Sequence, residues 1–119
     1  MIAVRIRDDR RAFRPGETLA GEAKWALDRP PESVELRLFW FTRGRGTEDV
    51  EIAQILNFDS PRQEDERGFE LRLPDSPHSF SGKLISLIWS IEVVAKPGES
   101  AGRVEFVLSP SLAEIVLHP

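Results

Sequence analysis

Apolar and polar residues alternate along most of this chain, most clearly between Ile85 and Val93. Ile85, Leu87, Trp89, Ile91 and Val93 fall on one face; Ser86, Ser90 and Glu92 fall on the other. A period of two is the signature of a half-buried strand. A strand of about 12 residues at roughly 3.3 Å each crosses a small domain from end to end. The stretch before it, from Leu73 through Pro74, Pro77 and Ser79 to Gly82, is punctuated by proline and serine and reads as a turn feeding that strand.

The same reading extends to both ends. Ile2, Val4 and Ile6 alternate with Arg5 and Arg7, before turns at Asp8–Arg10 and Pro15–Glu17. Leu19, Ala23, Trp25 and Leu27 form an inward face opposite Glu22 and Lys24, and Pro30-Pro31 stops that strand for want of backbone donors. Val34, Leu36, Leu38 and Trp40 form the next inward face; Glu35, Arg37, Phe39 and Phe41 lie outside. After the flexible loop Arg43-Gly44-Arg45-Gly46, period two groups Val50, Ile52, Gln54 and Leu56, which sets Ile55 on the opposite face. Asp59 to Arg67 reads as a charged loop, and Phe69, Leu71 and Leu73 resume the strand pattern. A tight turn at Pro97-Gly98-Glu99 precedes inward Val104, Phe106 and Leu108, with Arg103 and Glu105 outside. The tail Leu112–Leu117 fits either a last edge strand or a helical turn. Seven to eight strands, spaced near a dozen residues apart and without a convincing helix, predict an all-β protein. Its class is an immunoglobulin-like antiparallel β-sandwich filling residues 1–119 as one domain.

Composition narrows the chemistry. A chain of 119 residues, 40% hydrophobic and 30% charged, is long enough to bury a core and is not composed like a disordered protein. With no cysteine, disulfides and thiolate metal sites are excluded, and a reducing, cytoplasmic setting is expected. The opening MIAVRIR alternates like a strand, so no secretory leader is expected there. The apolar run Leu84–Ile91 is too short and too broken by serine to span a bilayer. A net charge of −4 argues against nucleic-acid binding, although Arg5, Arg7, Arg10, Arg11 and Arg14 crowd one end.

Three local patterns occur in register. Phe13-x-Pro15-Gly16-Glu17 is followed by Gly21; Val34–Trp40 follows as a core strand; Phe69-x-Leu71-x-Leu73-Pro74 leads through Ser79-Phe80-x-Gly82 into Ile85-x-Leu87-x-Trp89-x-Ile91. Together they resemble the arrestin-like family, including the retromer and sporulation-control proteins, where an aromatic residue, usually tyrosine, stands at the Trp89 position. The resemblance covers nearly the whole chain. It implies an arrestin-like sandwich and a non-enzymatic adaptor. Members of that family carry two such sandwiches in tandem, whereas this chain has room for one. The phosphate-sensing lysine pair of visual-type arrestins is unmatched, and its role is not carried to Arg10-Arg11. Proline-rich ligase-binding motifs are absent.

Catalytic and metal readings are weak. His78 stands among Ser76, Ser79 and Ser81, but neighbours within one turn rarely aim at one another as nucleophile and base. Two distant histidines, His78 and His118, make a poor zinc site, and Asp59 with Glu64-Asp65-Glu66 matches no calcium-loop spacing. No catalytic residue and no cofactor are expected. Phe39, Phe41 and Ile55 are more informative, since an ordinary sandwich prefers polar residues on its outer faces. Either loops or the C-terminal tail cover them, or they form a docking surface together with Arg43 and Arg45. The resulting expectation is a protein-binding adaptor or scaffold that uses an edge strand or loops, with self-association into a homodimer as one outcome. The alternative is a carbohydrate- or surface-binding module, which requires Trp25, Trp40 or Trp89 to be exposed; their inward phase speaks against it.

Overall fold

The computed structural model describes residues 1–46, 48–98 and 100–117. Ten strands follow in order: β1 (Ile2–Ile6), β2 (Ala12–Phe13), β3 (Thr18–Ala26), β4 (Ser33–Gly44), β5 (Val50–Asn57), β6 (Glu64–Arg72), β7 (Phe80–Gly82), β8 (Ile85–Lys96), β9 (Ser100–Leu108) and β10 (Ile115–Leu117). One 3-10 turn, Arg7–Asp9, stands where the Asp8-Asp9-Arg10 turn was expected. The excess over eight strands comes from β2 and β7, each too short to show a period. In the Leu112–Leu117 tail the last three residues form a strand, β10, which runs parallel to β7.

The strands form two sheets. In the smaller, β3 is flanked antiparallel by β1 and β6. In the larger, β4 lies between β5 and β8; the far edge of β8 takes β7 near its start and β9 along the remainder. Ile6, Leu19, Trp25, Phe69 and Leu71 from the smaller sheet meet Leu36, Leu38, Trp89, Ile91, Phe106 and Leu108 from the larger. Each large apolar side chain buried this way contributes about 1.5–3 kcal/mol relative to exposure. The strand read as about 12 residues long is so: β8 runs 12 residues, as does β4, with Leu87, Trp89, Ile91 and Val93 buried.

The sequence patterns converge in space. Gly16 donates its N–H to the Leu73 carbonyl and the Leu73 N–H returns to the Glu17 carbonyl, joining the Pro-Gly-Glu turn to the end of β6. Glu17 pairs with Arg10, whose guanidinium lies 4.2 Å from the Phe13 ring centroid. Gly21 is obligatory here: a Cβ would overlap the Arg5 carbonyl oxygen of β1 and come within 2.8 Å of the Phe69 ring. The Trp89 indole N–H donates to the Pro77 carbonyl at 2.7 Å, tying the proline-serine turn to the core.

The two sheets differ in width. On one side β1 approaches β9 so closely that a Cβ on Gly102 would lie 2.8 Å from the Ile2 carbonyl oxygen. On the other side the smaller sheet ends at β6, while the larger continues to β5.

The acidic knot is a correction to the loop reading. Glu64–Glu66 opens β6 rather than lying in a loop, and Asp65 points inward, its side chain 3% exposed. Asp65 accepts from the Arg67 side chain (Nε 3.1 Å), from the backbone N–H of Arg62 (3.3 Å) and from its own neighbour Glu66 (3.0 Å). Period two missed it because a charge at an inward position reads as a break in the strand. The Arg67 hydrogen bond, helped by the Arg62 and Glu66 donors, outweighs desolvation and holds the carboxyl well below the usual carboxylate range.

Candidate interaction surface at the β5 edge

Cross-strand pairing fixes which face each β5 residue occupies. Leu56 stands opposite Leu36 and Gln54 opposite Leu38, both inward. Ile52 stands opposite Phe39, not Leu38, because the register shifts there and Ala53 is the extra residue of a bulge. The bulge reverses the faces N-terminal to it. Val50 (65% exposed) and Ile52 (47%) therefore join Ile55 (46%) on the outer face, instead of sharing the inner face with Leu56 as a simple period of two had it.

β5 is consequently inverted relative to an ordinary edge strand. Its inward Glu51 and Gln54 are exposed and polar, since the narrower sheet does not reach over them. Its outer face is aliphatic and continues into the aromatics of β4. Phe39 and Phe41 lie side by side there, centroids 6.0 Å apart. Phe39 is buried and Phe41 half-buried. Arg103 of β9 lies over them, its guanidinium 5.1 Å from the Phe39 centroid and 5.6 Å from that of Phe41, held by Glu92 at 3.2 Å, and Glu48 of the loop after β4 lines the same pocket.

The residues singled out from sequence thus occupy one region, though not equally. Phe39, Phe41 and Ile55 share the outer face with Val50 and Ile52, which sequence reasoning had assigned inward. Arg43, the penultimate residue of β4, has its guanidinium 5.4 Å from the Phe41 centroid and 3.0 Å from Glu105. Arg45 lies past the strand in the exposed hairpin loop, its backbone N–H bonded to the Leu84 carbonyl. A shallow pocket of about 270 Å³ is lined by Phe39, Phe41, Thr42, Arg43, Val50 and Arg103 among others. Nearer the far end, Glu35 accepts from Arg37 at 3.0 Å and faces Lys96 at 3.4 Å, and the Arg37 hydrogen bond lowers the Glu35 pKa.

Among the described residues, no strand pairs with the second edge of either β5 or β6. Those two edges are chemically different. β6 carries Glu64, Asp65, Glu66, Arg67, Glu70 and Arg72, the charge-rich composition that discourages strand addition. β5 carries Glu51 alone.

The other candidates are placed elsewhere. His78 bonds to the Asp75 carbonyl at 3.0 Å, and Ser79 is buried and accepts from the Leu108 N–H at 2.9 Å. His118 and Glu99 lie outside the described residues. Among the described residues, no group of three acidic or histidine side chains is arranged to hold a metal ion, and no helix is long and apolar enough to cross a membrane. Trp25 and Trp89 are buried in the core and Trp40 is half-buried on the inner face, as their inward phase implied.

The architecture these observations define is an arrestin-like immunoglobulin-type sandwich. It superposes on the sporulation control protein Spo0M from Bacillus subtilis with a TM-score of 0.64, over 91% of this chain and 48% of that one, at 13% identity. This chain therefore spans about half the length of Spo0M. The Pseudomonas fluorescens alkylpurine DNA glycosylase AlkC, bound to DNA containing an abasic site analog, aligns over 91% of this chain and 30% of that one at 13% identity, with a TM-score of 0.41, too low to indicate a shared fold. No protein-family model and no curated protein sequence matches the chain.

Proposed function

We propose that this domain is a non-enzymatic protein-binding adaptor or scaffold, and that it takes up an extended segment of a partner along the open edge of β5. The observation that carries the proposal is the inverted strand itself. A solvent-facing edge with one charge, flanked by Val50, Ile52 and Ile55 over Phe39 and Phe41, offers main-chain pairing for affinity. The adjoining pocket under Arg43 and Arg103 offers side-chain selectivity. The buried tryptophans leave the carbohydrate-platform reading without its platform. Spo0M, whose fold this chain shares, is named for sporulation control, and a regulatory setting suits an adaptor. We place the domain in a reducing cytoplasmic compartment, where a cysteine-free sandwich holds together by its core alone.

The test is a selection of displayed peptides against the purified domain, with the Ile52→Lys/Ile55→Lys double variant as control. Selected ligands should be extended, carry apolar residues at alternate positions, and lose affinity at least tenfold on the double variant. Ligands that bind both proteins equally would place recognition elsewhere and refute the assignment to β5.

A further inference from the structure

We infer that one occupant of the β5 edge is the β5 edge of a second copy of this chain, paired antiparallel about a two-fold axis. The inference rests on the reading of β5 as a docking edge and goes further by naming the partner and the register.

An isologous strand pair must match its own pattern when reversed. β5 does so with its bulge included. Outer residues are Val50, Ile52, Ile55 and Asn57; inner residues are Glu51, Gln54 and Leu56; Ala53 is the bulge. With the axis between Ala53 and Gln54, Ile52 stands opposite Ile55 of the second copy, Val50 opposite Asn57, and Glu51 opposite Leu56. Outer residues then meet outer residues and inner meet inner. The four isoleucines join the Phe39 and Phe41 strips of both copies into one apolar band across the joined sheets. Each Glu51 faces a leucine rather than its own counterpart, so the pairing opposes no like charges along β5. A one-residue slip sets Ile52 against Leu56 or Gln54, opposing outer to inner, and is excluded by the pleat. A two-residue slip one way keeps the faces matched but places Ile52 against the bulged Ala53, which removes the contact between isoleucines; the other way it opposes Gln54 to Ile55, inner to outer.

The bulge is what makes this match possible. Without it, Val50 and Ile52 would lie inward and Ile55 outward, and reversal about the same centre would oppose unlike faces. β6 carries six charged residues against one on β5, so of these two edges composition favours β5 for strand addition.

A contact confined to one strand and its flanking side chains is small, so reversible association is expected at protein concentrations from about 10 µM to about 1 mM. Sedimentation velocity over that range should show a monomer–dimer equilibrium, and Ile52→Lys/Ile55→Lys should weaken it at least about 100-fold. Both residues are about half exposed, so the variant should keep the wild-type circular dichroism spectrum. The register is read separately, since the chain contains no cysteine. Ile52→Cys and Ile55→Cys proteins, mixed and mildly oxidised, should give the mixed disulfide in several-fold excess over either self-linked product. A chain that stays monomeric at the highest concentration, or a dimer indifferent to the lysines, overturns the inference. So does a statistical distribution of disulfides. Peptide capture at β5 is scored independently by the display selection, so failure of the second copy as occupant and failure of the docking edge are told apart.

Discussion

Trp89→Phe tests how the core and the proline-serine turn are joined. Trp89 is fully buried at the centre of β8, and its ring packs against Phe106 with centroids 6.3 Å apart. Its indole N–H is bonded to the Pro77 carbonyl at 2.7 Å. Phenylalanine keeps an aromatic ring but removes the donor and part of the volume. An orphaned carbonyl in a part-buried position costs about 1–3 kcal/mol. A residual void of ~40 Å³, at about 24 cal/mol per Å³, costs about 1 kcal/mol more. The two effects act at one site and together predict a loss of about 2–4 kcal/mol. Urea unfolding is the assay, with far-UV circular dichroism as the readout because the substitution alters fluorescence. With an m-value of about 1.5–2 kcal/mol/M for a domain of this size, the midpoint should fall by about 1–3 M at unchanged slope. A loss below about 0.5 kcal/mol would refute the claim that the indole bond anchors the turn.

Three further outcomes follow from the packing. Gly21→Ala should destabilise by about 1–3 kcal/mol in the same assay, because the added methyl meets the β1 backbone, which cannot yield as a flexible side chain would. Asp65 and Glu35 both have lowered pKa values in the folded protein, so the unfolded chain takes up protons first as pH falls. Their stabilisation is complete above about pH 5 and is lost progressively below it; Asp65→Asn should flatten the urea midpoint between about pH 5 and pH 3, and parallel curves would refute the role of the carboxylate. Deleting Ala53 should leave the fold intact, with stability within about 1 kcal/mol of wild type, because removing a bulge residue restores continuous pairing without moving any neighbour to the other face.

Most of the fold was legible because it rests on periodicity and turn chemistry. In β3, β4, β8 and β9 the alternate inward residues form the core, although β4 and β8 also carry apolar residues on their outer faces. The misplacements share one cause: a residue whose face is set by something other than alternation. Asp65 is inward because Arg67 and Arg62 meet it there, a partnership between a strand and the loop before it that no local pattern announces. Val50 and Ile52 are outward because one extra residue enters β5 opposite a continuous β4. The proximity of Phe39, Phe41 and Ile55 was visible as an excess of apolar residues on outer faces. Their cover was not visible, because Arg103 comes from β9 and reaches them across β8.

The unequal width of the two sheets accounts for the candidate surface. Three strands do not cover the full breadth of the sheet built around β4: of the inward residues of its far edge strand, Leu56 is half-buried against the core while Glu51 and Gln54 are exposed. Solvated polar side chains are the ones expected at those two positions. Solubility alone would favour polar residues on the outer face as well, together with the charges that β6 displays. The aliphatic outer face of β5, turned outward by the bulge and contiguous with the aromatics beneath Arg103, follows from neither folding nor solubility. Apolar area retained where both would permit polar residues is the mark of a surface that becomes buried in a complex. The proposed docking edge therefore lies on a strand that gives the core only Leu56.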